Sequence, residues 1–309
     1  MKKILLLTVI AILFSCDVFK QKEEHRFVYA FENESDLSKS EQLKTIEVIK
    51  TRLNGVGVQN EVKRFGEKHL EVLVKATQLD VQRLDQLIIN QGKLEFWELY
   101  KGEEFLSYIG EALYTIEESN TSDSLKVTSK FDLSPGYKGG PIVIHVKKDD
   151  SETVLNLLNS QASKLNLPSE FKNVKFLLGI EENGRLPIYA IRSNKDNKAP
   201  LTGEVVTKAN NTFGPTGRPE ISIQMNRDGA LIWERLTASA FQKGTSIAIT
   251  LNNVVYSAPG VTVGPIKGGR SSVSGNFTAE EAQDLAIVLS SGQMIPKLKL
   301  IEYSLVSNR

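Results

Sequence analysis

The first hundred residues alternate between strand-like and helix-like spacing of apolar positions. Phe27 to Phe31 is a short apolar run of strand length. From Ser38 to Leu53, the residues Leu43, Ile46, Ile49 and Leu53 recur every three or four positions and mark one face of a helix, which Gly55 and Gly57 end. Val58 to Phe65 and the alternating set Leu70, Val72, Val74 predict two strands joined by the turn Gly66-Glu67-Lys68. Val81, Leu84, Leu87 and Ile88 mark a second helix closed by Gly92, and Leu94 to Tyr100 reads as a further strand. The order is β-α-β-β-α-β, so residues 27–100 are expected to form a ferredoxin-like base subdomain. The polar stretch before it, residues 16–26, reads as a tether.

Patterning weakens between residues 101 and 200. Ile142–Val146, Val174–Leu178 and Ile188–Ile191 are candidate strands, and Thr153 to Leu165 is a candidate helix ended by Pro168. The Ser-, Thr- and Asp-rich run from Glu117 to Ser129 and the turn cluster around Ser134-Pro135-Gly136 read as exposed loops. This segment is expected to be an elaboration inserted in a head subdomain. Residues 201–309 are sharper. Ile221, Ile223 and Met225 alternate after a Gly-Pro turn. Asp228 is a candidate N-cap for a helix ended by Gly244. Ile247 to Leu251, Asn252-Asn253 and Val254 to Tyr256 predict a tight hairpin. Thr278 and Glu281 form a capping box ahead of Ala282, Leu285, Val288 and Leu289, and Lys297–Val306 is a last strand. Residues 201–309 are thus expected to supply the head together with a closing helix and strand of the base. The fold class is α+β: a ferredoxin-like base with an additional α+β head.

The N-terminus changes the picture most. Lys2 and Lys3 precede an apolar run from Ile4 to Phe14 that is too short to span a bilayer stably, as in a secretory signal. Leu13-Phe14-Ser15-Cys16 then has the pattern of a bacterial lipoprotein signal, with a leucine three places before the cysteine and a small residue directly ahead of it. Residues 1–15 are expected to be removed and Cys16, the chain's single cysteine, to carry the lipid. With no second cysteine, no disulfide can form within the chain. The 309 residues carry 38 basic and 37 acidic side chains, a balance that argues against a nucleic-acid partner. Beyond Cys16 no apolar run approaches transmembrane length.

Catalytic and metal chemistry find no pattern. His25, His69 and His145 lie far apart in sequence, and no H-E-x-x-H, P-loop or G-x-S-x-G motif occurs. No cofactor, metal or enzymatic activity is expected. Trp97 and Trp233 read as core residues rather than a binding platform. Phe96 and Trp97, on opposite faces of one strand, are expected to be one buried and one semi-exposed.

Four ordered blocks carry a family resemblance: Ala199 to Val205 (APLTGEV), Gly217 to Thr237 (GRPEISIQMNRDGALIWERLT), Ser246 to Val261 (SIAITLNNVVYSAPGV) and Gly268 to Gly292 (GGRSSVSGNFTAEEAQDLAIVLSSG). In order and spacing they resemble the first extracytoplasmic domain of SecD, the accessory membrane subunit of the Sec preprotein translocase. Thr45 to Val58 and Gly92 to Tyr100 agree with the family's first helix end and its L-E-F strand. Lys172–Gly179 and Leu186–Ser193 look like the longer insert of SecD-SecF fusions. The resemblance implies a base and a head that protrude from the membrane and contact emerging polypeptide. It also implies the Sec membrane subunits as partners.

The departures are Asn252, where the family usually has Asp, the run Gln293-Met294-Ile295-Pro296, and the lack after Tyr303 of the family's membrane bundle. The expectation is therefore a stand-alone lipoprotein, anchored by lipid on the periplasmic side of the cell membrane or outer membrane. Its expected role is as a non-enzymatic accessory of protein export that binds unfolded exported chains or docks on the Sec machinery. A general cell-envelope binding or scaffold lipoprotein that keeps this fold is the alternative. The client-binding residues are not legible.

Overall fold

A computed structural model describes residues 22–32, 37–118, 131–165, 167–292 and 295–306. Cys16 and the signal segment lie outside the described residues, as does most of the expected loop from Glu117 to Ser129. In chain order the elements are β1 (Glu23–Phe31), α1 (Lys39–Gly55), β2 (Gln59–Phe65), β3 (His69–Ala76), α2 (Val81–Ile89) and β4 (Leu94–Glu98). There follow α3 (Leu106–Glu118), β5 (Leu133–Pro135), β6 (Ile142–Lys147), α4 (Ser151–Asn159), α5 (Gln161–Lys164), β7 (Val174–Leu178) and β8 (Arg185–Arg192). The last are β9 (Leu201–Thr202), β10 (Val206–Phe213), β11 (Pro219–Met225), α6 (Arg227–Lys243), β12 (Ile247–Leu251), β13 (Val254–Ser257), β14 (Arg270–Ser274), α7 (Ala279–Ser290) and β15 (Leu298–Val306).

The chain divides into two compact units, residues 1–90 with 295–309, and residues 91–294. In the first unit the sheet order is β15-β1-β3-β2, every neighbouring pair antiparallel, with α1 and α2 connecting as in a ferredoxin-like fold. Phe27, Tyr29, Leu70, Val72 and Val74 of the sheet pack against Ile46, Ile49 and Leu53 of α1 and Leu84 and Ile88 of α2. Ser38 starts α1 with a capping box to Glu41. The Arg52 guanidinium is wholly buried and donates to the carbonyls of Leu87, Ile88 and Asn90, closing the C-terminal end of α2. Burial pushes its pKa down to about 10, still far above neutrality, so the cation opposes the negative end of the helix.

Two boundaries differ from the sequence reading. The first strand begins at Glu23, four residues before Phe27, so the tether ends sooner on the domain side. The fourth strand of the base sheet is β15; Leu94–Glu98 instead pairs with β12 and β9 in the second unit. A strand chooses its neighbour by non-local pairing, which local periodicity does not carry. The expected closing helix, α7, likewise packs into the core of the second unit.

That second unit holds three sheets, ordered β13-β12-β4-β9, β10-β11-β14 and β5-β6-β8-β7. The first two share one core with α6 and α7, centred on Phe96, Trp233, Ile221, Ile249 and Ala282. Trp233 meets Phe96 edge to face, with ring centroids 5.5 Å apart. The opposite face of β4 and β12 puts Trp97 and Ala248 against Leu177, Tyr189 and Ile191 of the inserted sheet. Phe96 and Trp97 are therefore both buried, against the expectation of one semi-exposed ring, because this sheet is covered on both faces.

The inserted sheet has its own core with α3 and α4 around Phe105, Val146, Leu158 and Phe176. The expected helix from Thr153 to Leu165 is two pieces, α4 and α5, broken at Ser160, whose backbone is extended. The helix from Leu106 to Glu118 was not foreseen. Asn226, not Asp228, caps α6, accepting from the Gly229 amide, and Gly244 ends it in the left-handed conformation.

Candidate functional site

In the second unit two sheet edges lie beside a groove. β14 is the outer strand of β10-β11-β14, and β13 is the outer strand of its own sheet. The two edges converge where Ser257 Oγ and Ser274 Oγ are 3.3 Å apart. Part of the β13 edge is already used: the Ile180 amide donates to the Val255 carbonyl at 3.2 Å. Gly179 makes this approach possible, since a Cβ there would lie 2.7 Å from the Tyr189 ring and 2.8 Å from Pro187. Among the described residues β14 has β11 as its one ladder partner, and Ser271, Ser272 and Ser274 set small side chains along it. Ser272 Oγ donates to Glu220 Oε2 at 2.7 Å, on the neighbouring strand.

Beside these edges lies an open groove of about 780 Å³, within the ~300–1,000 Å³ range of ligand sites. Five chain segments build it: the β5–β6 connection, the β7–β8 connection with the start of β8, the turn that opens β11, and the ends of β13 and β14 with the residues that follow them. Tyr137, Tyr189 and Tyr256 give it aromatic walls, and Arg218, Glu182 and Glu220 line its polar side. Tyr256 stacks on Phe277 with centroids 5.6 Å apart. Burial, reinforced by Glu281, raises the Tyr256 pKa, so its hydroxyl stays protonated. Burial likewise pushes the Tyr189 hydroxyl up to about 12. Such a surface offers main-chain pairing along an edge and apolar contact for alternate side chains.

The structure scatters the other sequence candidates. His25 lies in β1, not in a tether, and is buried with Nδ1 3.0 Å from the Tyr303 hydroxyl. His69 and His145 lie on β3 and β6. Among the described residues, no three or more histidine, cysteine, aspartate and glutamate side chains gather as metal ligands. No helix among them is long and apolar enough to cross a membrane. Sequence reasoning missed Glu98, buried at the end of β4. Its carboxylate accepts from Lys243 at 2.9 Å and Ser239 at 2.9 Å, and pairs with Arg192 at 3.2 Å. The partners lie about a hundred residues or more along the chain, so no local spacing announces them.

The architecture is that of a ferredoxin-like base interrupted by a larger head. Residues 187–295 match the SecDF P1 head subdomain. The chain is similar to protein translocase subunit SecD of Rhodothermus marinus, 30% identical over 289 residues, covering 84% of this chain and 45% of the relative. It is 25% identical over 273 residues to SecD of Rickettsia prowazekii, covering 81% of this chain and 51% of that one. SecD of Endomicrobium trichonymphae is 39% identical over 120 residues, 37% of this chain and 25% of the relative. The chain thus spans about half the length of the longer-matching relatives or less.

A crystal structure of SecDF in a super-membrane-facing form shares the fold with a TM-score of 0.59 at 21% identity, over 98% of this chain and 34% of that one. A structure of SecDF, described as a membrane component that enhances protein export, gives a TM-score of 0.52 at 21% identity, over 90% and 98% respectively. The chain is similar to SecD over most of its length, and residues 187–295 match the P1 head subdomain.

Proposed function

We propose that the protein is a non-enzymatic accessory of Sec-dependent export, held by lipid on Cys16 at the extracytoplasmic face of a membrane. There it binds extended polypeptide along the open edge of β14. The observation that carries this reading is the outer edge of β14, within residues 187–295 that match the P1 head, beside a groove with three tyrosines in its walls. A polypeptide emerging unfolded offers a continuous row of backbone donors and acceptors, and strand addition takes it whatever its sequence. The Sec membrane subunits are the docking partners that the similarity to SecD supports.

Affinity follows from two opposing terms. Each added backbone hydrogen bond nets about 0.5–1.5 kcal/mol, while ordering the client costs about 1–2 kcal/mol per residue. Apolar contact with the groove must tip the balance, and it does so weakly. Weak capture suits a client that has to move on.

The experiment is site-specific photocrosslinking from position 272, on the β14 edge, with position 235 on the exposed side of α6 as control. A permanently unfolded secretory protein is expected to crosslink from 272 and not from 235, and its folded form from neither. Equal yields from both positions, or from folded and unfolded forms, would remove the edge as client site and favour the scaffold alternative. In the same cells Cys16→Ser is expected to abolish palmitate labelling, which tests the anchor separately.

A further inference from the structure

Along β15 the exposure of apolar residues climbs toward the C-terminal end. Leu298 is 4% exposed, Tyr303 40% and Leu305 56%, with Ile301, at the bulge opposite Val28 and Tyr29, 51% exposed. The cause is a mismatch of lengths. α2 has nine residues and spans about 13 Å at 1.5 Å per residue, whereas the nine residues of β15 extend about 30 Å. The helix buries Leu84 and Ile88 in the base core, which also holds Leu298, and at less than half the length of β15 it is too short to cover the whole strand. Tyr303 there covers Phe27, 5.0 Å between centroids, and bonds His25, and its outer side is left exposed among the described residues. β15 is also an edge strand, and among the described residues its outer side pairs with no further strand.

This bare end lies where the chain enters the base. Leu305 is opposite His25 and Val306 is opposite Glu24 in the ladder, one residue into β1. Cys16 stands seven residues before Glu23. However those residues run, they span at most about 25 Å at 3.3–3.6 Å per residue. A lipid on Cys16 therefore confines the Tyr303–Leu305 end of β15 to the neighbourhood of the bilayer surface. We infer that the exposed end of β15, with Tyr303 and Leu305 at its centre, rests on the headgroup–acyl boundary of the membrane that holds the Cys16 lipid. This inference rests on the lipid anchor proposed above.

The chemistry fits a shallow seat. Tyrosine, with an apolar ring and a polar tip, favours that boundary. Unpaired edge backbone can keep its water there, whereas deeper burial would strand it in hydrocarbon. The contact is apolar, so it does not require anionic lipid. It is also weak alone, and becomes populated because the tether raises the local concentration of surface.

The test uses a nitroxide label at Leu305→Cys, with Glu61→Cys on β2, the opposite edge of the same sheet, as control. In one arm the full lipid-modified chain is reconstituted in phosphatidylcholine vesicles, where lipidation leaves the introduced thiol as the sole one to label. In the other, the chain carries Cys16→Ser behind a hexahistidine tag and is held on phosphatidylcholine vesicles containing nickel-chelating lipid. In both arms the ratio of oxygen to nickel-chelate accessibility at 305 is expected to rise several-fold on vesicles, with no change at 61. If 305 stays as open to the aqueous reagent as 61 in both arms, the inference fails. It fails equally if 305 becomes protected without vesicles as protein concentration rises, which marks edge-to-edge pairing of two copies. Labelling of the otherwise unsubstituted chain at Cys16 would overturn the lipid anchor instead, and the tagged arm would still decide the membrane contact.

Discussion

On the face of the base sheet away from its helices, Arg26 reaches across from β1 to Glu71 on β3, with Nε 2.6 Å from Oε1. Lys63 of β2 approaches the other carboxylate oxygen at 3.0 Å. Glu71 is 8% exposed, and burial by itself would raise its pKa. The hydrogen bonds and charges of Arg26 and Lys63 outweigh burial and bring it below the ordinary 4.5. A carboxyl lowered in the folded state stabilises fully above its unfolded value and ceases to do so as pH falls through the folded one. The contribution of Glu71 should therefore be complete above pH 4.5 and be lost below it. Urea titrations of the native chain and of Glu71→Gln are expected to differ at neutral pH and to converge as the pH is taken below 4. A constant gap across that range would mean that Glu71 acts through packing and not through its charge.

Among the elements, the β12–β13 hairpin shows how far one side chain can organise a turn. Asn252 and Asn253 have φ of 51° and 67°, the left-handed pair that a two-residue type I′ loop requires. Asn252 also accepts from the Lys93 amide at 3.1 Å through its side chain and donates to the Lys93 carbonyl at 3.0 Å, tying the turn to the chain just ahead of β4. Asn252→Ala meets the left-handed penalty of about 1–2 kcal/mol and loses a hydrogen bond worth roughly 0.5–1.5 kcal/mol. It is expected to lower the stability of the head by about 1–3 kcal/mol in denaturant unfolding, while Asn252→Asp stays within about 0.5 kcal/mol. This turn was legible in the sequence, as were the Thr278 capping box and the Gly244 stop, because each depends on residues a few positions apart. The partner of Leu94–Glu98 was not legible, nor was the double burial of Phe96 and Trp97, since both depend on strands about eighty to a hundred and fifty residues away. The groove is a similar case. The block from Ser246 to Val261 that holds Tyr256 was visible in the sequence, but the walls come from five separate segments.

For the whole molecule, the two units impose different requirements on chain length. The head is continuous between residues 91 and 294, whereas the base needs both ends of the chain. A chain truncated after Gly292 keeps the core formed by Phe96, Trp233, Ile249 and Ala282 but loses β15, exposing the flank of β1 and its buried Phe27 and Tyr29. Calorimetry of this truncated chain is expected to retain the head transition and lose that of the base. Retention of both would show that β15 is dispensable to the base sheet.

The pairing of β1 with β15 also sets a clock. His25 and Tyr303 meet across a sequence separation of 278 residues, with the whole head made in between. At about 5–20 residues per second of synthesis, the first strand waits roughly 15–55 s for its partner. Closing so long a loop is also slow for an unstructured chain. A head that has already folded shortens that search by condensing the intervening residues into a single body. The order of maturation therefore runs opposite to the order of the sequence at its N-terminus: the segment nearest Cys16 is made first and becomes native last. Until then its β1 edge is open to pairing with another chain.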